Sequence, residues 1–342
     1  MSYEDPFHAI VSISPHPSPG PGEDVGVMPT ARHPDLAQTR SEAILVLQHY
    51  TPLNRHDDTA LLLRTFLNNL PDDGKLALAL DVLSVAGEDN KLRQLRNFLV
   101  DAILKPMQIA GGKTPRVYVS APTNPNAPDE IEEAMTEIES SPRNDQQKLK
   151  TDCLRRDGFR CVISGLYDRQ SIRDHLVTPP AGNPSGGTEC AHILPFALRK
   201  FNERNAQQTE NAATIWWGLH RYFPSLRNKI DAGSINQPQN AMTLAVQVHD
   251  DFGSYDVALS PIQGPDNKYH IQLFELSTTF PPSYAQRPMV TLTSRNTSIP
   301  VPDPVYLDTH ARIARILEAF RESGTLHLGL VDIQGQRTAA SS

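Results

Sequence analysis

The sequence predicts an α+β chain, in which an N-terminal helical region precedes a core of short strands. Three observations predict it. Between residues 35 and 109 the apolar side chains recur at helical spacing. From residue 159 the pattern changes to short apolar runs between long polar loops. Near the end, Asp303-Pro304 opens a last amphipathic helix, with proline at its first position.

In the helical region, Leu63, Phe66, Leu67 and Leu70 follow the i, i+3, i+4, i+7 pattern, as do Leu76, Ala79, Leu80 and Leu83. Leu95, Leu99 and Ile103 continue at four-residue spacing. Pro71 to Gly74 and Gly87 to Asn90 break the helices, so a small antiparallel bundle is expected over 31–109. Residues 1–30 are rich in Pro, Ser and Gly and bury little apolar surface, which predicts a disordered arm. Residues 110–142 read as a linker followed by an acidic helix from Asp129 to Ser140, with Ile131, Ala134, Met135 and Ile138 on one face. Gln146 to Arg156 reads as a further helix, carrying Lys148, Lys150, Arg155 and Arg156.

Within 143–276, Arg160 to Ile163 and Glu189 to Leu194 read as strands, Ala213 to Phe223 as a helix bearing Trp216 and Trp217, and Asp256 to Leu259 with Tyr269 to Leu276 as a hairpin. The tryptophans are expected to pack between that helix and the hairpin. In the last segment, 277–342, Ile313, Ile316, Leu317 and Phe320 form the buried face of a helix stopped by Gly324.

Composition narrows the function. No apolar run approaches the eighteen or so residues that a membrane span needs. Met1 to Asp24 has no basic segment followed by an apolar one, so an intracellular location is expected, nuclear or cytoplasmic. Cys153, Cys161 and Cys190 then read as thiols, with a partial zinc site at Cys161 and Cys190 as the other option. The net charge of −7 does not mark a nucleic-acid binder, but its distribution is uneven. Residues 1–142 carry −9, whereas 143–229 carry +6. A phosphate-facing surface belongs in the second stretch, and the acidic helical half is a possible protein-partner surface.

Three stretches stand together: Arg156-Asp157-Gly158-Phe159-Arg160-Cys161-Val162-Ile163-Ser164-Gly165, then Cys190-Ala191-His192-Ile193-Leu194-Pro195, then Asn240-Ala241-Met242-Thr243-Leu244 with His249 nine positions after Asn240. In this order, over residues 150–276, they resemble the HNH nuclease family, in the variety found in many fungal proteins. The resemblance implies a ββα-metal core, a β-hairpin and helix around one divalent ion such as Mg²⁺ or Mn²⁺, and phosphodiester hydrolysis, with DNA as the expected substrate. By position it makes His192 the general base, Asn240 the loop-fixing residue and His249 a metal ligand.

The chemistry suits those residue types. A water must lose a proton near neutral pH, where histidine titrates. A divalent cation stabilises the charge that develops on the leaving oxygen. An asparagine amide hydrogen-bonds backbone across a loop and holds the base in its tautomer. Each residue also has a plainer reading: His192 as a core histidine, Asn240 as a turn residue, His249 as a helix cap.

The pattern departs from the family at two places. The family commonly has a metal-binding side chain just before the base, where this chain has Ala191, and some members have one four residues after the last histidine, where this chain has Gly253. Glu189 shares a strand face with Ala191 and is the expected substitute ligand. The 48 positions from His192 to Asn240 hold an inserted helical excursion, Pro195 to Asp231, that brings Arg199, Lys200, Arg204 and Arg221 towards nucleic acid or else serves as a structural cover. The departures leave a second functional reading, an HNH-like module that binds without cutting.

Overall fold

The computed structural model describes residues 35–108, 119–138, 145–199, 201–264, 266–274 and 288–322, apart from the side chains of Glu137, Asp145, Phe196 and Arg199. The Pro-rich arm, Lys200 and Gly324 lie outside the described residues.

Five helices build the N-terminal region: α1 (Leu36–Gln48), α2 (Thr59–Asn69), α3 (Asp72–Ser84), α4 (Asp89–Leu99) and α5 (Lys105–Gln108), the last two joined by a π-helical turn, Val100–Leu104. Asp35 caps α1, its carboxylate accepting from Ala37 N at 3.0 Å. Leu63, Phe66, Leu67 and Leu70 are all fully buried, as the spacing predicts. On α3 the buried face differs from the expected one: Leu78, Ala79 and Val82 are buried, whereas Leu80 is 41% exposed. The reason is tertiary. A Cβ on Gly74 would lie 2.0 Å from the Tyr222 carbonyl oxygen, so the helix turns its glycine side to the chain there. Gly74, Leu78 and Asp81, at i, i+4 and i+7, then lie on one line towards the rest of the molecule.

Next come α6 (Ala127–Glu137) and α7 (Asp145–Arg156). The strand expected at Arg160 to Ile163 is a turn. Gly158 (φ 68°) and Phe159 (φ 56°) reverse the chain, and Gly165 N donates to Cys161 O at 2.9 Å. Of that segment only Arg160 makes a β-bridge, to Tyr167. Strand β1 (Tyr167–Asp168) runs into the short helix α8 (Arg169–Arg173) and pairs in parallel with β2 (Ser185–Gly186).

The central unit is β3 (Thr188–His192), antiparallel to β4 (Ala241–Ala245), followed at once by α10 (Val246–Gly253). The register sets His192 opposite Ala241 and Glu189 opposite Leu244. Between the two strands the chain makes α9 (Ala206–Tyr222). It starts seven residues before the expected position because Asn205 caps it, accepting from Gln208 N at 3.1 Å. Strands β5 (Val257–Pro261), β6 (Lys268–Leu273) and β7 (Met289–Thr291) form a second antiparallel sheet, against which α11 (Pro304–Glu322) lies. Ile313, Ile316, Leu317 and Phe320 of α11 are buried.

Side chains from the bundle, α9, the hairpin and α11 belong to a single apolar cluster. Trp217 meets Phe98 of α4 edge to face at 5.6 Å, and its Nε1 donates to Glu130 of α6 at 2.5 Å. The tryptophan pair is core, as expected, but Trp217 faces the bundle rather than the hairpin.

Candidate active site

The β3–β4–α10 unit carries Glu189, His192 and His249, and Asn240 stands just before β4. His192 closes β3 and is half-buried. Its Nε2 lies 3.0 Å from Asn236 Oδ1. An amide oxygen only accepts, so this contact selects the tautomer protonated at Nε2. Asn236 was not among the residues singled out in the sequence. It precedes Gln237-Pro238, and nothing local marks it; only the fold brings it to the ring.

Asn240 is fully buried. Its Oδ1 accepts from Leu194 N at 2.9 Å, and its Nδ2 donates to Leu194 O at 3.1 Å and Ile235 O at 3.0 Å. Its own carbonyl accepts from Ile193 N at 2.9 Å. The amide therefore pins the chain just after His192. The two tasks that chemistry asks of one asparagine are divided here: Asn240 holds the backbone and Asn236 holds the imidazole.

His249 lies on α10, and its Nδ1 is 2.5 Å from Glu189 Oε2. Both side chains are open to solvent, 33% and 50% exposed. Glu189 thus faces α10, on the strand face it shares with Ala191. One carboxylate and one imidazole suit a hard divalent ion that keeps most of its coordination as water and substrate phosphate. Among the described residues no group of three or more His, Cys, Asp or Glu gathers as a ligand set. Asp251, two residues further along α10, is buried instead, and burial together with Asp256 and Asp250 pushes its carboxyl up to about 6.

Beneath this unit lies a buried ion pair that the sequence displayed as part of a motif without a role. Arg156 is fully buried and pairs with Asp157 through Nε at 2.7 Å and Nη2 at 3.0 Å. The guanidinium also donates to the carbonyls of Pro238 (2.7 Å), Ala241 (2.8 Å) and Pro300 (3.1 Å), gripping the chain on both sides of Asn240. Asp157 accepts from Thr243 N in β4 at 2.8 Å. Burying a charged pair is costly unless its remaining donors and acceptors are satisfied, and here each has a partner. Asp168 performs a similar task at the other end of β3, accepting from Thr188 Oγ1, Ser171 Oγ and Ser171 N, each at 2.7 Å.

Of the four expected phosphate contacts, the structure describes the side chains of Arg204 and Arg221. Arg204 is exposed. The Arg199 side chain and Lys200 lie outside the described residues. Arg221 has a different partner: its Nε and Nη2 donate to Asp81 of α3 at 2.9 and 2.5 Å, beside Tyr222 Oη at 2.8 Å from the same carboxylate. It ties α9 to the bundle. Lys148, Lys150 and Arg155 of α7 are exposed.

A hairpin closed by a histidine, a clamped asparagine and a following helix with a second histidine define a ββα nuclease-type unit. Residues 161–260 match the family model described as HNH endonuclease, and this part of the chain is an HNH-family domain. No curated protein matches the chain, and no solved structure does. No helix among the described residues is long and apolar enough to cross a membrane.

Proposed function

We propose that the protein is a metal-dependent HNH endonuclease that hydrolyses phosphodiester bonds in DNA. The observation that carries this reading is the arrangement of His192, Asn240 and the Glu189–His249 pair on one hairpin and helix within the family match. His192, held by Asn236, takes a proton from the attacking water. Asn240 keeps the turn after His192 in place, so the imidazole does not wander from the scissile group. Glu189 and His249 would hold the divalent ion, which when bound supplies positive charge where the leaving oxygen becomes negative. The exposed bases of α7 and Arg204 receive backbone phosphates.

The test is nicking of supercoiled plasmid by the purified protein with Mg²⁺ or Mn²⁺, against EDTA, beside His192→Ala. Metal-dependent nicking is expected, reduced roughly 10²–10⁴-fold in the variant. Full activity in His192→Ala would remove that residue from the chemistry.

The ligand count favours a second reading, a module that binds DNA without cutting it. Ala191 and Gly253 bring no donor, and two protein ligands hold an ion weakly. Folded protein that shifts duplex DNA in a gel but nicks it with no metal would select this reading.

A further inference from the structure

Two of the three cysteines meet across the site unit. Cys153 is on α7 and buried; Cys190 is on β3, between Glu189 and Ala191, and half-buried. With Leu149 and Ala241 they form a small apolar cluster separate from the main core. Contact with the Cys190 side chain, followed by burial, holds the Cys153 thiol well above the usual cysteine range. Cys161 stands apart: it belongs to the main core and its Sγ accepts from Ser164 N at 3.2 Å. Neither Cys153 nor Cys190 takes part in the hydrolysis proposed above.

We propose that Cys153 and Cys190 are a thiol–disulfide modification site, oxidised by a peroxide to a bond that joins α7 to β3. The half-exposed Cys190 is the sulfur an oxidant reaches. Its sulfur attacks one peroxide oxygen, the O–O bond breaks, the other oxygen takes the thiol proton and leaves as water, and the sulfur becomes a sulfenic acid. The Cys153 sulfur then attacks the Cys190 sulfur and gives up its proton, and the S–O bond breaks to release a second water. The two thiols lose two electrons and two protons, and the peroxide gains them. The bond fixes the strand that carries Glu189 and His192 to the helix that carries Arg156. It would act as a reversible tie of the sensing kind rather than a permanent staple, since reduced thiols are already packed without it.

The full-length protein, reduced with dithiothreitol and then treated with hydrogen peroxide, is alkylated, digested and mapped by mass spectrometry. The expected product is a peptide containing Cys153 linked to one containing Cys190, lighter by two hydrogens than the pair, with Cys161 alkylated. Renewed dithiothreitol should restore both thiols. Cys190→Ser, at a half-buried position, should leave Cys153 reduced under the same treatment. Alkylation of all three cysteines after peroxide, a link through Cys161, or links only between molecules would each overturn the proposal. These readings do not depend on cleavage, so they stand apart from the nuclease assignment.

Discussion

At the scale of single residues, the site depends on buried polar side chains that hold the backbone. Asn240 is the clearest case, because its two donors and one acceptor all meet buried backbone. Asn240→Asp keeps the acceptor for Leu194 N but turns a carboxylate towards two carbonyl oxygens. We expect it to cost about 3 kcal/mol, at least as much as Asn240→Ala, from the buried groups left unpaired. Urea unfolding decides it; an aspartate tolerated at wild-type stability would mean that the two donor contacts are dispensable. Glu189→Gln makes the complementary point on function. Removing the charge should abolish metal-dependent nicking while the fold stays intact, because Glu189 is half exposed. Nicking at the wild-type rate would take Glu189 out of the site.

At the scale of elements, α7 and α3 show how charge and close approach position a helix. Arg156 of α7 spans the Asn240 turn, and its loss would leave Asp157 charged and buried. Arg156→Met should therefore cost roughly 3–5 kcal/mol, read as a lower urea midpoint. Asp157→Asn, which keeps an acceptor for Thr243 N, should cost less; equal costs would argue that the pair acts only through its charge. On α3 two effects compete at Gly74. Alanine gains about 1 kcal/mol of helix propensity. Its Cβ, however, would sit 2.0 Å from the Tyr222 carbonyl oxygen, a backbone atom that moves only with α9. Overpacking of that kind costs about 1–3 kcal/mol, so Gly74→Ala should be net destabilising. A higher thermal midpoint in the variant would show that the α3–α9 contact yields easily. The Asp81–Arg221 pair crosses the same contact, which is why an arginine expected at nucleic acid is found holding the bundle.

At the scale of the whole molecule, the second half and the bundle are held to one core, and a buried histidine makes that core sensitive to acid. His310 of α11 is stacked between Phe252 (3.8 Å) and Tyr255 (4.4 Å), and its Nε2 donates to Phe252 O at 3.1 Å. Burial pushes it down to about 3. A histidine depressed in the folded state binds fewer protons there than in the unfolded chain between pH 3 and 6.5. Its contribution is thus complete above pH 6.5 and is lost as pH falls towards 3, by about 2 kcal/mol at pH 5. His310→Phe keeps the aromatic stack and should remove that part of the pH dependence. The check is the difference between the two stability–pH curves, and parallel curves would mean that His310 is not held neutral.

How much of this was legible in the sequence follows from how local each signal is. Periodicity marks the face a helix buries when a broad core receives it, so the apolar stripe of α2 and the buried face of α11 could be read directly. The stripe of α3 could not, because a single close contact at Gly74 sets its rotation. The order and spacing of the cysteine, histidine and asparagine motifs identified the HNH unit, since a hairpin and helix made by nearby residues leave their mark along the chain. What the sequence by itself determined was the class of fold and the HNH unit, with His192, Asn240, His249 and Glu189 as the candidates within it. Only the tertiary structure decided that Asn236 orients the imidazole, that Arg156 and Asp157 hold the turn, that Arg221 belongs to the bundle and that Cys153 lies against Cys190. Those contacts join residues 37 to 140 positions apart. Such pairings depend on how elements rotate and pack, and no local spacing encodes them.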